Sequence, residues 1–110
     1  MKIMFVSAAN STHTVRWVNA LAERGHEVYL VSNRGHEPKE DALNSRVKLY
    51  LMKHSGGKGY YLNVGELRKI AKRINPDVIN VHYASGYGTL ARKARLPKYI
   101  LSVWGSDVYD

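Results

Sequence analysis

The chain has 110 residues, no cysteine and a net charge of +8 at neutral pH. This length suits one domain, and its 45% apolar fraction is ordinary for a folded protein. The lack of cysteine excludes disulfides and thiolate chemistry and fits a reducing compartment. The apolar run at residues 3–6 is too short for a signal peptide, and no stretch approaches the roughly 20 apolar residues of a membrane span. We therefore expect a cytoplasmic protein.

The positive charge lies mainly in the second half of the chain. Acidic and basic residues cancel over residues 1–45, whereas residues 46–98 carry twelve Lys and Arg against only Glu66 and Asp77. Such an excess attracts phosphates of nucleic acid, anionic lipid or a nucleotide. The alternative is a solvated basic surface with no ligand.

Strands and helices alternate in the first half of the chain. Residues 2–7 predict a strand buried on both faces, because four apolar residues follow one another. Thr12 or Thr14 is expected to cap the next helix, which Gly25 ends. Residues 27–32 predict the second strand.

A longer, less regular segment follows the second strand. Residues 33–45 predict mostly loop, residues 47–51 a half-exposed edge strand, and the glycines within residues 54–60 a flexible connection. Asn63 is expected to cap a second helix, with Glu66 placed as in a capping box. The basic side of that helix consists of Arg68, Lys69, Lys72 and Arg73.

The last third of the chain predicts a strand that ends at His82, a loop over residues 84–88, a helix over 89–95 and a fifth strand over 99–103. Strands alternating with helices indicate right-handed βαβ units and a parallel sheet. We expect one Rossmann-like domain over residues 1–110. It should be a three-layer α/β/α structure with strand order 3-2-1-4-5.

Several common cofactor motifs are missing. No glycine occurs between Met1 and Gly25, so the first strand is not followed by the dinucleotide-binding pattern G-x-G-x-x-G. No Gly-Lys-Ser/Thr occurs, which excludes a P-loop. The five histidines form no close helical pair suited to zinc. We therefore predict neither a metal nor a resident cofactor.

The loops after strands one, four and five should meet at one crevice, where open α/β sheets bind ligands. His82 could contact a ligand there or be an ordinary buried histidine. Gly86 and Gly88 could expose backbone N–H groups to an anion or serve a tight turn. His13 and Arg16 lie at the start of the first helix, where Arg16 could reach a phosphate or simply be exposed.

The segment after strand five adds three candidates. Trp104 could belong to the core or form a platform on which a sugar ring stacks. Gly105 follows it. Asp107 could cap a helix, accept a hydrogen bond from a sugar hydroxyl or act as a base. It is the candidate catalytic residue.

Four stretches resemble the N-terminal domain of family-4-like glycosyltransferases of the GT-B fold. They are Lys-Ile-Met-Phe-Val-Ser at 2–7, Asn-Ala-Leu-Ala-Glu-Arg-Gly-His-Glu-Val at 19–28, Asn-Pro-Asp-Val-Ile-Asn-Val-His at 75–82 and Ser-Val-Trp-Gly-Ser-Asp at 102–107. The resemblance implies transfer of a sugar from a nucleotide-sugar to an acceptor, with retention at the anomeric carbon and without metal. It also implies an N-terminal domain that mostly holds the acceptor and a second domain that mostly holds the donor.

The resemblance has further implications, and the sequence also departs from the family pattern at some positions. The loop at residues 8–13 would approach the donor phosphates, although it lacks the glycine pair often found there. Trp104 stands where many relatives have histidine. Because the chain ends at Asp110, we expect a partial N-terminal domain that is inactive alone and self-associates through strand five. The acceptor would be a polysaccharide or a lipid-linked sugar, with peripheral contact to anionic lipid at the inner membrane face.

A different class of function remains open. The chain could be a stand-alone Rossmann-like module that binds nucleic acid or a protein partner through its basic face. Few aromatic residues interleave with the basic run at residues 68–73, which argues mildly against a single-strand binder.

Overall fold

Five parallel strands form one sheet in a computed structural model of the chain, which describes residues 1–82, 86–96 and 99–102. The strands are β1 (Lys2–Val6), β2 (Glu27–Arg34), β3 (Lys48–Ser55), β4 (Val78–His82) and β5 (Ile100–Ser102). The helices are α1 (Thr12–Glu23), α2 (Gly56–Leu62), α3 (Val64–Ile74) and α4 (Tyr87–Lys93). The strand order is β3-β2-β1-β4-β5, which confirms the predicted Rossmann-like topology.

The central strand, β1, is buried on both faces, as its run of apolar residues predicts. Met4 is paired in register with Tyr29 of β2 on one side and with Ile79 of β4 on the other. Successive side chains of a strand point to opposite faces of the sheet, so Met4 and Val6 lie in one core and Ile3 and Phe5 lie in another.

Helices cover the two faces of the sheet unequally. On one face, Val18 and Ala22 of α1 pack with Phe5 and Leu30. On the other face, the buried sides of α3 and α4 pack with Met4 and its neighbours in a larger core. The architecture is therefore the expected three layers. No helix in the described ranges is long and apolar enough to cross a membrane.

The cap of α1 differs from the prediction. Ser11 is the N-cap, and its side chain accepts a hydrogen bond from the backbone N–H of Thr14 at 3.5 Å. Thr12 already lies within the helix, and the hydroxyl of buried Thr14 bonds to Ser7 instead. Gly25 has a φ of 93°, so the predicted end of the helix is confirmed.

The predicted flexible connection over residues 54–60 is wrong, because β3 extends to Ser55 and α2 begins at Gly56. The predicted capping box is also wrong. The Asn63 side chain makes no capping hydrogen bond, since its amide binds the backbone of His54 and the side chain of Asn33. Glu66 accepts a hydrogen bond from the backbone N–H of Lys53 at 2.8 Å. Hydrogen bonds to residues of β2 and β3 therefore replace the predicted local capping bonds.

Gly59 is buried where α2 crosses the end of β3. A Cβ at this position would lie 2.7 Å from the His54 carbonyl oxygen and 3.0 Å from Asn33 Nδ2. A Cβ at Gly57, in the same helix, would meet nothing within 4 Å.

We therefore predict that Gly59→Ala lowers the free energy of unfolding by about 1–3 kcal/mol, because the backbone must shift to relieve overpacking. Gly57→Ala is the matched control and should raise that free energy by up to about 1 kcal/mol. Chemical denaturation followed by circular dichroism measures both. Equal stability of the two variants would contradict the close packing at Gly59.

The two edges of the sheet differ in charge. The edge strand β3 carries the exposed residues Lys48 and Lys53, which oppose pairing with another chain. Within the described ranges, β5 has a strand neighbour on one side only, and its Ile100 is 58% exposed. Val103, the last residue of the predicted strand, lies outside the described residues.

Self-association through β5 thus stays a prediction. The chain should form dimers or larger species at high concentration, and Ile100→Lys should shift it toward monomer by placing a charge on the apolar edge. Light scattering over a concentration series measures both proteins. A monomeric wild type at every concentration would contradict the expectation.

Candidate functional site

The order in which strands are added to the sheet reverses at β1, which places a crevice at the carboxyl ends of β1 and β4. From β1 the chain passes through α1 to β2 on one side, whereas β4 leads through α4 to β5 on the other. The helices that follow these two strands, α1 and α4, pack on opposite faces of the sheet.

Buried hydroxyl groups fix the loop after β1. The Ser7 and Thr14 hydroxyl oxygens lie 2.7 Å apart, and the Ser32 hydroxyl donates to the Ser7 carbonyl oxygen. These contacts hold the loop to both α1 and β2. Asn10, Thr12 and Lys39 line a cleft of about 120 Å³ beside it.

Tyr87, the first residue of α4, contacts β2, the loop after β2 and α2. Its phenol oxygen accepts a hydrogen bond from the backbone N–H of Asn33 at 2.9 Å and lies 2.6 Å from His36 Nδ1. The Tyr60 ring packs edge-on against it, with the ring centroids 5.3 Å apart. Burial raises the pKa of Tyr87 far above its ordinary value, so the phenol keeps its proton at neutral pH and can donate it to Nδ1 of a neutral His36.

An amide network continues from Tyr87 to the end of β3. Asn63 Nδ2 donates to Asn33 Oδ1 at 2.8 Å and to the His54 carbonyl oxygen at 2.9 Å. Asn63 Oδ1 in turn accepts from the His54 N–H at 3.0 Å. The ends of β2 and β3 and the starts of α3 and α4 therefore form one rigid polar block beside the crevice.

The predicted site residues fall into three groups. His13 and Arg16 are exposed near the start of α1. His82 is 8% exposed at the end of β4, and Gly86 forms the N-cap of α4 with a φ of 81°. Gly88 lies one residue into that helix. Trp104, Gly105 and Asp107 lie outside the described residues.

Gly86 is restricted by packing as well as by its backbone conformation. A Cβ there would lie 2.8 Å from the Tyr60 ring. Close approach therefore accounts for this glycine in addition to the turn. No group of three or more His, Cys, Asp and Glu residues suited to a metal ion occurs in the part of the chain that the structure describes.

Sequence reasoning missed Tyr87, His36, Asn33 and Ser7. Tyr87 stands between the two glycines that were singled out, and a large aromatic residue with a hydroxyl needs a polar partner when it is buried. Its place between these two glycines was the feature of the sequence that could have identified Tyr87 as a buried residue with a polar partner. Its partners, Asn33 and His36, are more than fifty residues away in the chain, so no local pattern connects them.

We predict that Tyr87→Phe lowers the free energy of unfolding by about 1–3 kcal/mol, because the buried Asn33 N–H loses its acceptor. Tyr61→Phe, which removes a hydroxyl from an exposed ring, should change it by less than about 0.5 kcal/mol. Because the Tyr87 pKa is raised on folding, wild-type stability should fall as the pH rises above the ordinary tyrosine value. That decline should be weaker in Tyr87→Phe. Denaturation at several pH values measures it, and identical slopes would contradict a buried neutral phenol.

The chain is similar to one family of known proteins and to several solved structures. Residues 2–110 match the family described as glycosyl transferase 4-like. The search of curated proteins found no match. A structure described as glycinamide-RNase-transformylase T from Mycobacterium tuberculosis aligns over 92% of this chain and 28% of its own, with a TM-score of 0.60 and 16% identity. A structure of UDP-galactose 4-epimerase aligns over 77% of this chain and 38% of its own, with a TM-score of 0.49 and 13% identity.

The likeness to the first of these structures shows the α/β fold alone, and the chain spans less than a third of its length. The family match covers nearly every residue, including all four stretches on which the sequence resemblance rests. The chain belongs to the glycosyl transferase 4-like family, as an N-terminal domain of the GT-B type.

Proposed function

We propose that this chain forms the acceptor-binding side of a retaining glycosyltransferase. The enzyme would transfer a sugar from a nucleotide-sugar to a polysaccharide or lipid-linked acceptor. The observation that carries the proposal is the family match over residues 2–110. The crevice at the carboxyl ends of β1 and β4 supports it, because open α/β sheets bind ligands at this point.

The acceptor is assigned to the β4 side of the crevice. A sugar needs an apolar surface for its ring face and fixed polar groups for its hydroxyls. Trp104 is proposed as the ring platform, and His82 and Asp107 as hydroxyl partners. Gly86, Gly88 and Gly105 would let the backbone approach the ligand closely.

The donor phosphates are assigned to the start of α1. A helix N-terminus carries partial positive charge, and the first turn of α1 contains no acidic residue that would cancel it. His13 and Arg16 are exposed there, and Lys39 lines the neighbouring cleft. The buried contacts of Ser7 and Thr14 would keep this helix end in place during binding.

The proposed reaction forms a bond between the acceptor oxygen and the anomeric carbon as the bond from that carbon to the phosphate oxygen breaks. The nucleoside diphosphate leaves with the bonding electron pair, and the acceptor proton passes to a base. Asp107 is the candidate that orients or deprotonates the hydroxyl. The donor sugar is assigned to a second domain outside these 110 residues, so the chain alone is expected to transfer no sugar.

The proposal is tested by turnover of Asp107→Asn in a protein that carries both domains. If Asp107 acts on the acceptor hydroxyl, turnover should fall by roughly two orders of magnitude. The melting temperature should stay unchanged, because Asn caps helices about as well as Asp.

Asp77→Asn is the matched control for that experiment. Asp77 is exposed at the opposite end of the sheet, where its side chain accepts a hydrogen bond from the Lys2 N–H at 2.8 Å. This variant should keep normal turnover. Near-normal turnover of folded Asp107→Asn would remove Asp107 from the site. Absence of sugar transfer by the wild-type two-domain protein with every nucleotide-sugar would overturn the proposed function itself.

A further inference from the structure

His36 lies just beyond the carboxyl end of β2, at the edge of the sheet where the crevice opens. Its backbone N–H donates to the Asn33 carbonyl oxygen at 3.1 Å, and Gly35 has a φ of 99°, so the chain turns back over the end of β2. The His36 ring packs against Tyr87 of α4, with the ring centroids 5.7 Å apart. Because β1 lies between β2 and β4, this contact crosses the carboxyl end of β1. His36 therefore borders the crevice on its β2 side.

Tyr87 determines which ring nitrogen of His36 carries the hydrogen. The phenol oxygen of Tyr87 accepts a hydrogen bond from the Asn33 N–H, and His36 Nδ1 lies 2.6 Å from the same oxygen. When the phenol donates to Nδ1, neutral His36 carries its own hydrogen on Nε2. The side chain is only half-buried, so this arrangement presents an N–H donor of fixed tautomer beside the crevice.

Glu37 supplies a hydrogen-bond acceptor next to that donor. Its carboxylate accepts from the Gly35 N–H at 3.0 Å, so the side chain folds back beside His36, which stands between the two residues in the chain. The Gly35 N–H is also the main reason why the pKa of Glu37 lies below its ordinary value. The exposed side chain is therefore ionised at neutral pH. It accepts hydrogen bonds from hydroxyl groups and repels phosphates.

Tyr60 adds an aromatic surface to these polar groups. Its ring meets the Tyr87 ring edge-on, with an angle of 85° between the planes. A Cβ on Gly86 would lie 2.8 Å, 2.8 Å and 2.9 Å from three adjacent carbons of the Tyr60 ring, so Gly86 lies over a face of that ring. Gly86 caps α4, so Tyr60 stands where the chain enters this helix from the β4 side. The ring is only half-buried and retains surface for a ligand.

We propose that His36, Glu37 and Tyr60 form a second carbohydrate subsite on the β2 side of the crevice. A sugar unit offers hydroxyl groups to a donor and an acceptor and an apolar ring face to an aromatic side chain. The inference rests on the proposed function and names its acceptor as a neutral oligosaccharide. The unit that receives the transferred sugar lies on the β4 side, and the next unit along the saccharide lies against His36, Glu37 and Tyr60.

Nuclear magnetic resonance of the isotope-labelled chain tests the donor directly. The coupling pattern of the His36 imidazole should identify the tautomer with hydrogen on Nε2. Tyr87→Phe should weaken that preference, because Nδ1 then loses the phenol that donates to it. Hydrogen on Nδ1 in the wild type would leave no donor for a ligand at Nε2 and would overturn the proposal.

Titration of the same chain with saccharides tests the ligand class. The probes are neutral trisaccharides of glucose, galactose and mannose, the three monosaccharides and inorganic phosphate. The signals of His36 and Tyr60 should respond to at least one trisaccharide at lower concentration than to its monosaccharide. Response to none of the trisaccharides, or a stronger response to phosphate, would contradict a carbohydrate subsite.

His36→Asn removes the outward donor with little change in the fold. The Asn side-chain oxygen can take the place of Nδ1 and accept from Tyr87, whereas nothing replaces Nε2. Affinity for the trisaccharide should fall by about three- to tenfold, as expected for one uncharged hydrogen bond. His26→Asn is the matched control, because His26 is also half-buried but lies before β2, at the opposite end of the sheet. It should bind as wild type does, and circular dichroism establishes that both variants are folded.

Kinetics of the protein that carries both domains separate this inference from the proposed function. His36→Asn should raise KM for the trisaccharide acceptor by about three- to tenfold and leave kcat unchanged, because the subsite does not touch the reacting bond. KM for a monosaccharide acceptor should not change. Equal KM values of wild type for both acceptors would overturn the subsite alone. Absence of transfer by wild type would overturn the proposed function, and the titration of the chain would still decide whether the subsite exists.

Discussion

The burial of β1 (Lys2–Val6) on both faces, between two parallel neighbours, is the constraint on which the rest of the structure depends. Met4 and Val6 face one core, while Ile3 and Phe5 face the other. Both cores must therefore be covered by helices, and right-handed crossovers then send the chain outward on both sides of β1. The crevice follows from this reversal rather than from any single residue.

Beside the crevice, several buried polar groups bond to one another. Removal of Tyr87, Asn33 and Asn63 from water is unfavourable, and their mutual hydrogen bonds offset that loss. Such a network joins the ends of β2 and β3 to the start of α4 with little freedom to adjust. In the proposed enzyme, this rigidity would keep the start of α4 in a fixed position relative to the ends of β2 and β3.

The two helical layers differ in chemistry as well as in size. The layer formed by α2, α3 and α4 covers the larger core and carries almost all of the net charge on its outer side. The layer formed by α1 covers the smaller core and bears both signs of charge. Because α2 starts at the carboxyl end of β3, the charged layer reaches the edge where the crevice opens. A surface contact on that layer would therefore orient the crevice.

The sequence by itself determined the five strands, their parallel order and the basic side of α3, because apolar periodicity and crossover handedness are local or nearly local properties. It also indicated which strand ends would meet. Only the tertiary structure decided that Ser11 caps α1, that α2 replaces a flexible connection, and that Asn63 bonds to Asn33 and His54 rather than capping α3. A polar side chain has several possible partners of similar energy, and those brought close by packing, often far apart in the chain, determine which bond forms.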